Sequence, residues 1–336
     1  MAKPKLFITR DLFEDVIRRL EELFDVEVWD RYEPPPYEKL LEKVRDVDAL
    51  VSLLTDRIDC RLLSSAPRLR IVAQYAVGYD NIDIECATRL GIYVTNTPDV
   101  LTEAVAEHTF ALILAVARRI VEADNFVRWG EWYRTRTGWH PKMMLGVELK
   151  GKTLGIIGLG RIGVRVAEIA KVFGMRVIYW SRRRKPEIEQ KLGIEYRDLD
   201  QLLSESDIVT VHVALTPETR RLLNEERLRK MKRGSILVNT ARGAVIDMDA
   251  LIKLLREGHI AGAALDVFEE EPIDPNHPIT AFKNVVLTPH IGSATYEARH
   301  AMAERVALNL IEFYNGRIPP DLVNPEVVKI RKPGFH

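Results

Sequence analysis

The chain has 336 residues, 46% of them hydrophobic, and its 49 basic and 49 acidic side chains cancel. That length and composition suit two cores of ordinary domain size, and the balanced charge excludes a whole-molecule field favouring nucleic acid or an anionic membrane. The longest apolar run, Phe110 to Ala117, ends at Arg118-Arg119 and falls well short of the roughly 20 residues that span a bilayer. No secretory apolar region follows Met1. Cys60 and Cys86 are too few for a disulfide framework and lack metal-ligand spacing, so a soluble, reducing, cytoplasmic setting without metal is expected. A charged fraction of 29% with glutamine almost absent matches heat-adapted compositions, which favour ion-pair networks over labile amides.

In chain order, apolar strands at Leu6-Phe7-Ile8, Val26 to Trp29, Ala49 to Leu53, Ile71 to Ala73 and Tyr93-Val94 alternate with amphipathic helices, the first from about Leu12 to Leu23. Such alternation implies a parallel sheet covered on both faces. A long helical pattern then runs from about Thr102 to Val127. Strands resume at Thr153, then at Arg176 to Ser181, Ile208 to Val213, Ser235 to Thr240, Ala261 to Val267 and Val285 to Thr288. Six strands with helices between them fit a doubly wound nucleotide domain. The last helix, Ala294 to Tyr314, has no sheet of its own and is read as returning to the first domain. The expected architecture is α/β: two doubly wound parallel-sheet domains, a flavodoxin-like substrate domain (1–100 and 289–336) and a Rossmann nucleotide domain (101–288). A cleft between them is expected, with hinges near Pro98 and Pro289.

Gly158-Leu159-Gly160-Arg161-Ile162-Gly163 stands between the apolar strand ending at Ile157 and a helical pattern from Val164. This is the context a dinucleotide fingerprint requires: Gly158 for the tight turn, Gly160 for backbone approach to a pyrophosphate, Gly163 for helix–strand packing. A nicotinamide or flavin nucleotide is the ligand implied. The strand Val177 to Trp180 ends in Ser181-Arg182-Arg183, where an NAD-specific site carries a carboxylate for the ribose hydroxyl. A hydroxyl and guanidinium groups suit a 2′-phosphate instead, so NADP(H) is expected to be preferred, with NAD(H) as an accepted alternative.

Several blocks together resemble the D-isomer-specific 2-hydroxyacid dehydrogenase family: Val77-Gly78-Tyr79-Asp80-Asn81-Ile82-Asp83, the glycine fingerprint, Asn239 to Gly243, Ala264 to Phe268, Glu271-Pro272 and Thr288 to Gly292. Within it the sequence most resembles the glyoxylate/hydroxypyruvate reductases. The resemblance implies Arg242, Glu271 and His290 as the catalytic set. The Arg242 fork would bind the keto acid's carboxylate and polarise its ketone, His290 would supply the proton, and Glu271 would stabilise the charged imidazole. It places Leu159, Gly160, Arg161 and Ile162 at the pyrophosphate, Thr240 and Ala241 along the nicotinamide half, Asp266 near the carboxamide, and His290, Ile291 and Gly292 over the ring. Val77 and Gly78 would offer backbone N–H groups to the substrate, Leu53 an apolar wall, and Trp139 a second wall or a subunit contact. His108, His212, His259 and His300 are read as packing or surface residues.

The resemblance thus implies reduction of glyoxylate, and of hydroxypyruvate, by a homodimer built through the helix after Thr102 and the Trp129 to Trp139 segment, with NADPH the donor expected from the residues after Trp180. A phosphoglycerate dehydrogenase-like enzyme and a nucleotide-sensing corepressor-like binding protein are the rivals. Ala214 departs from the family pattern, where a proline is common.

Overall fold

The computed structural model describes residues 2–335. Two compact units divide the chain: Met1–Leu101 together with Thr295–His336, and Thr102–Ala294.

The first unit is built on five parallel strands, β1 (Lys5–Ile8), β2 (Asp25–Val28), β3 (Ala49–Ser52), β4 (Ile71–Gln74) and β5 (Tyr93–Thr95), in the order β2-β1-β3-β4-β5. This is the flavodoxin-like order expected. Every residue of β3 and β4 is buried, because helices cover both faces of the sheet, which is why these strands read as unbroken apolar runs. The helix Tyr296–Tyr314 belongs to this unit, and the Thr295 hydroxyl caps it by accepting from the Ala298 N–H. After it, Val323 donates to the Val94 carbonyl and Leu322 bridges Thr95, so the C-terminal segment covers the β5 edge.

The second unit carries β6 (Thr153–Ile157), β7 (Arg176–Trp180), β8 (Glu195–Tyr196), β9 (Ile208–Val211), β10 (Ser235–Asn239), β11 (Ile260–Leu265) and β12 (Val285–Leu287). The order is β12-β11-β10-β9-β6-β7-β8, all parallel. The chain order reverses between β6 and β9, and ligands of open α/β sheets bind at such a switch point, beyond the strands' carboxyl ends. The helix Met248–Arg256 shows what anchors these layers. Asp247 caps it through the Ala250 N–H, worth about 1 kcal/mol, whereas each of its fully buried Leu251 and Leu254 side chains contributes about 2 kcal/mol. Burial therefore outweighs capping.

Two expectations need correction. The long helix expected over 102–127 is two helices, Thr102–Ala117 and Ile120–Arg128, because Arg119 adopts a left-handed φ of 55°. The Ala117 carbonyl accepts from Val147 N–H at 2.8 Å, so a returning loop takes the bond that would have continued the helix. Cys60 and Cys86, expected to be reduced, form a disulfide with Cα atoms 5.5 Å apart. The segments leading into the two short helices that bear them are tied by an Ile58–Ile82 bridge, with Ile58 N–H donating to the Asn81 carbonyl and Asp83 N–H to the Ile58 carbonyl, each at 2.9 Å. Among the described residues no helix is long and apolar enough to cross a membrane.

Candidate active site

Three neighbouring strands of the second unit, β10, β11 and β12, end side by side, and each is followed by one expected catalytic residue. Arg242 follows β10 in a turn that Asn239 holds at both ends: its Oδ1 accepts from Ala241 N–H at 3.0 Å and its Nδ2 donates to the Arg242 carbonyl at 2.8 Å. A side chain on Gly243 would overlap the Phe268–Glu269 backbone, so this glycine lets the loops after β10 and β11 touch. Glu271 lies in the second of these loops. Its Oε1 accepts from the Phe268 N–H at 2.9 Å, and its Oε2 is 2.7 Å from His290 Nδ1.

That last contact picks Glu271 out of Glu269-Glu270-Glu271. Glu269 faces Arg220 instead, at 3.4 Å. Since His290 Nδ1 is engaged by the carboxylate, Nε2 is the ring atom left to work on a ligand. Both side chains are about 29% exposed, so a small molecule can reach them.

His290 sits in a loop with a left-handed φ of 55°, a conformation that needs support in a residue other than glycine. Asp266, at the end of β11 and only 1% exposed, supplies it. Its carboxylate accepts from Ile291 N–H at 2.9 Å, Gly292 N–H at 2.8 Å and the Thr288 hydroxyl at 2.6 Å, and its carbonyl accepts from His290 N–H. His108 Nε2 approaches the same carboxylate at 3.3 Å and Thr288 Oγ1 at 3.2 Å. Burial acts to raise the Asp266 pKa, but the bonds from His108, Thr288 and Ile291 outweigh it and leave the carboxyl below its ordinary range. His108 and Thr288 thus support the site, which the sequence reading missed. They lie 180 residues apart and no local pattern marks their pairing.

At the switch point Gly158 adopts φ +101°, and a Cβ there would meet the His212 carbonyl at 2.7 Å. Gly163 packs directly on the Gly158 carbonyl, while a Cβ on Gly160 would enter open space. The helix Arg161–Val172 starts immediately after Gly160. A glycine turn with open space over it, facing a helix N-terminus, fits the pyrophosphate of a dinucleotide. Leu159 is 1% exposed and Ile162 packs against the same core, so their side chains serve packing and only their backbone faces the turn. His212 is held neutral by burial, its pKa pushed down to about 3, and its Nε2 lies 2.9 Å from Thr210 Oγ1. Thr240 meets Thr109 at 3.0 Å.

Beyond β7, the Ser181 hydroxyl donates to the Arg183 carbonyl at 2.6 Å. Arg184 pairs with Glu189 at 2.8 Å, and Arg182, Arg183 and Arg184 are all exposed. In the first unit, Leu53 follows β3, and Val77 and Gly78 lie in the loop after β4, with Val77 36% exposed. Trp139 is 83% exposed.

Residues 110–292 match the model of the D-isomer specific 2-hydroxyacid dehydrogenase NAD binding domain. The chain belongs to the D-isomer specific 2-hydroxyacid dehydrogenase family. It is an NAD(P)-dependent oxidoreductase of that family. It is 68% identical to a glyoxylate reductase of Aeropyrum pernix over 335 residues, covering 100% of each chain. Among solved structures, a protein of Thermus thermophilus superposes with TM-score 0.89 at 48% identity, covering 95% of this chain and 99% of that one. An NADPH-dependent glyoxylate/hydroxypyruvate reductase from Sinorhizobium meliloti, in complex with NADP and malonate, does so with TM-score 0.85 at 33% identity, covering 97% and 98%.

Proposed function

We propose that this dehydrogenase reduces glyoxylate, and hydroxypyruvate as a second substrate, to the 2-hydroxy acid with NADPH as preferred donor. The observation that carries this reading is the His290 Nδ1 to Glu271 Oε2 bond of 2.7 Å, placed beside the Arg242 turn at the carboxyl ends of adjacent strands. Bound NADPH would supply the hydride. Gly158, Gly160 and Gly163 with the Arg161–Val172 helix N-terminus would hold its pyrophosphate, Thr240, Ala241, Asp266, Ile291 and Gly292 its nicotinamide half, and Ser181, Arg182 and Arg183 the 2′-phosphate.

Arg242 binds the substrate carboxylate and polarises the ketone, since a guanidinium presents paired donors to paired oxygens. His290 gives its Nε2 proton to the ketone oxygen as charge develops there, a contribution of about 10²–10⁴ in rate. Glu271 keeps the ring oriented and stabilises its charged form. Leu53, Val77 and Gly78 belong to the substrate side, which assigns the first unit to substrate and the second to cofactor.

The exposed apolar residues Trp129, Trp132, Tyr133, Trp139 and Leu145 in the second unit support a homodimer in which a second copy of this chain covers them. The names of the relatives and the missing carboxylate after Trp180 favour the NADPH-linked reductase over a phosphoglycerate dehydrogenase or a cofactor sensor. A steady-state panel of 2-keto acids with both cofactors tests it. NADPH oxidation on adding glyoxylate, with kcat/KM higher than for NADH, is expected; a clear NADH advantage overturns the cofactor assignment, and no turnover overturns the reductase.

A further inference from the structure

At the carboxyl edge of the first unit's sheet, a line of side-chain amides, the buried Gln74 and the part-exposed Asn81 and Asn96, joins the loop after β3 to the loop after β4. The Ser52 hydroxyl donates to Gln74 Oε1 at 2.7 Å. Gln74 Nε2 donates to Asn81 Oδ1 at 2.8 Å and to the Gly78 carbonyl at 3.3 Å. Asn81 Nδ2 donates to the carbonyls of Leu53, at 3.0 Å, and Asp56, at 2.8 Å. From the other side Asn96 Nδ2 donates to the Val77 carbonyl at 2.8 Å. Gln74 is fully buried, and a buried amide is held in place because its donors, once unpaired, have no water to replace the lost bonds.

The consequence follows from the planar trans peptide, in which C=O and the next N–H point in opposite directions. Fixing the Val77 carbonyl with Asn96 fixes the direction of the Gly78 N–H. Fixing the Gly78 carbonyl with Gln74 fixes the Tyr79 N–H. Two successive N–H groups are thereby turned away from the anchored carbonyls, in a loop whose Val77 and Tyr79 are 36% and 40% exposed. Successive backbone N–H groups of this kind form an anion-binding concavity.

We propose that Gln74 and Asn96 are positioning residues that set the peptide planes of Val77-Gly78 and Gly78-Tyr79 for a substrate carboxylate, and that Asn81 ties this loop to Leu53. The proposal rests on the reductase reading above. Neither amide touches substrate; each acts through a peptide plane.

The test measures KM and kcat for glyoxylate, the inhibition constant of oxalate, the Kd of NADPH and Tm in the wild-type chain, Gln74→Glu and Asn96→Ala. Gln74→Glu keeps shape but removes the donors, and Asn96 lies at a part-exposed position where truncation spares the core. At least a tenfold rise in glyoxylate KM and in the oxalate constant is expected in each variant, with NADPH Kd unchanged. A purely structural role lowers Tm and leaves KM alone, and that result overturns the proposal. If Gln74→Glu does not fold, Asn96→Ala decides by the same criterion. A wild-type chain with no keto-acid turnover overturns the reductase reading and this assignment with it, whereas active wild type with unchanged variants overturns the assignment alone.

Discussion

The pKa of both His212 and Asp266 is lowered in the second unit, and the sign of each shift has a consequence for stability. Burial keeps His212 neutral by lowering its pKa to about 3, while in an unfolded chain the imidazole takes its proton near pH 6.5. Between these values the unfolded state binds the extra proton, so stability is lost as pH falls from about 6.5 toward 3. Part of the residue still meets solvent, which offsets some of the cost and leaves a contribution of about 1–2 kcal/mol. Urea unfolding at pH 6.5 and 4.5 checks this: the wild-type chain should lose more stability over that interval than His212→Gln by that amount. Equal losses contradict it. Asp266, whose carboxyl is depressed, adds stability above its unfolded pKa that disappears only as pH falls through the still lower folded value, below the ordinary 3.8. The His290 loop should therefore keep its anchor through the neutral and mildly acidic range.

At the scale of elements, the disulfide between the helices Cys60–Ser64 and Ile84–Arg89 closes a loop of separation 26. Closing such a loop restricts the unfolded chain by about 3 kcal/mol. Cys60→Ser should lower Tm by several degrees under oxidising conditions and match the wild-type chain under reducing ones; a Tm unchanged in both contradicts the bridge. The sequence spacing of two cysteines could not disclose it, because their approach depends on where the loops after β3 and β4 pack. The same reason hid His108 from the site and the break at Arg119 from the helix, where the deciding partner, Val147, is remote in sequence. The strand β8 escaped notice because it has two residues and a charged surface, where Glu195 joins Arg176, Arg197 and Glu205 in an ion network. Such networks gain value at high temperature. What could be read were features carried within a few residues: the glycine turn, the apolar strands of both sheets, and the existence of the last helix, whose start the Thr295 cap sets two residues later than expected. Glu271 stood between these cases: its triplet of acids gave no reason to choose it, the following Pro272 and the family resemblance singled it out, and the contact with His290 gives the physical reason.

For the whole molecule, the exposed aromatic segment should decide assembly. Trp129 and Tyr133 are each 72% exposed, a cost that a second copy of the chain would relieve by burying them. Light scattering after size exclusion is expected to give a dimer for the wild-type chain and a monomer for Trp129→Asp combined with Tyr133→Asp. A monomeric wild-type chain contradicts the proposed assembly. The proposed mechanism makes turnover depend on the Arg242, Glu271 and His290 side chains, and its most direct test is steady-state reduction of glyoxylate by NADPH in His290→Asn beside the wild-type chain, with NADPH binding followed by fluorescence. The substitution should lower kcat by about 10² or more while NADPH binds as before. A kcat near that of the wild-type chain, with binding intact, would show that the proton comes from elsewhere.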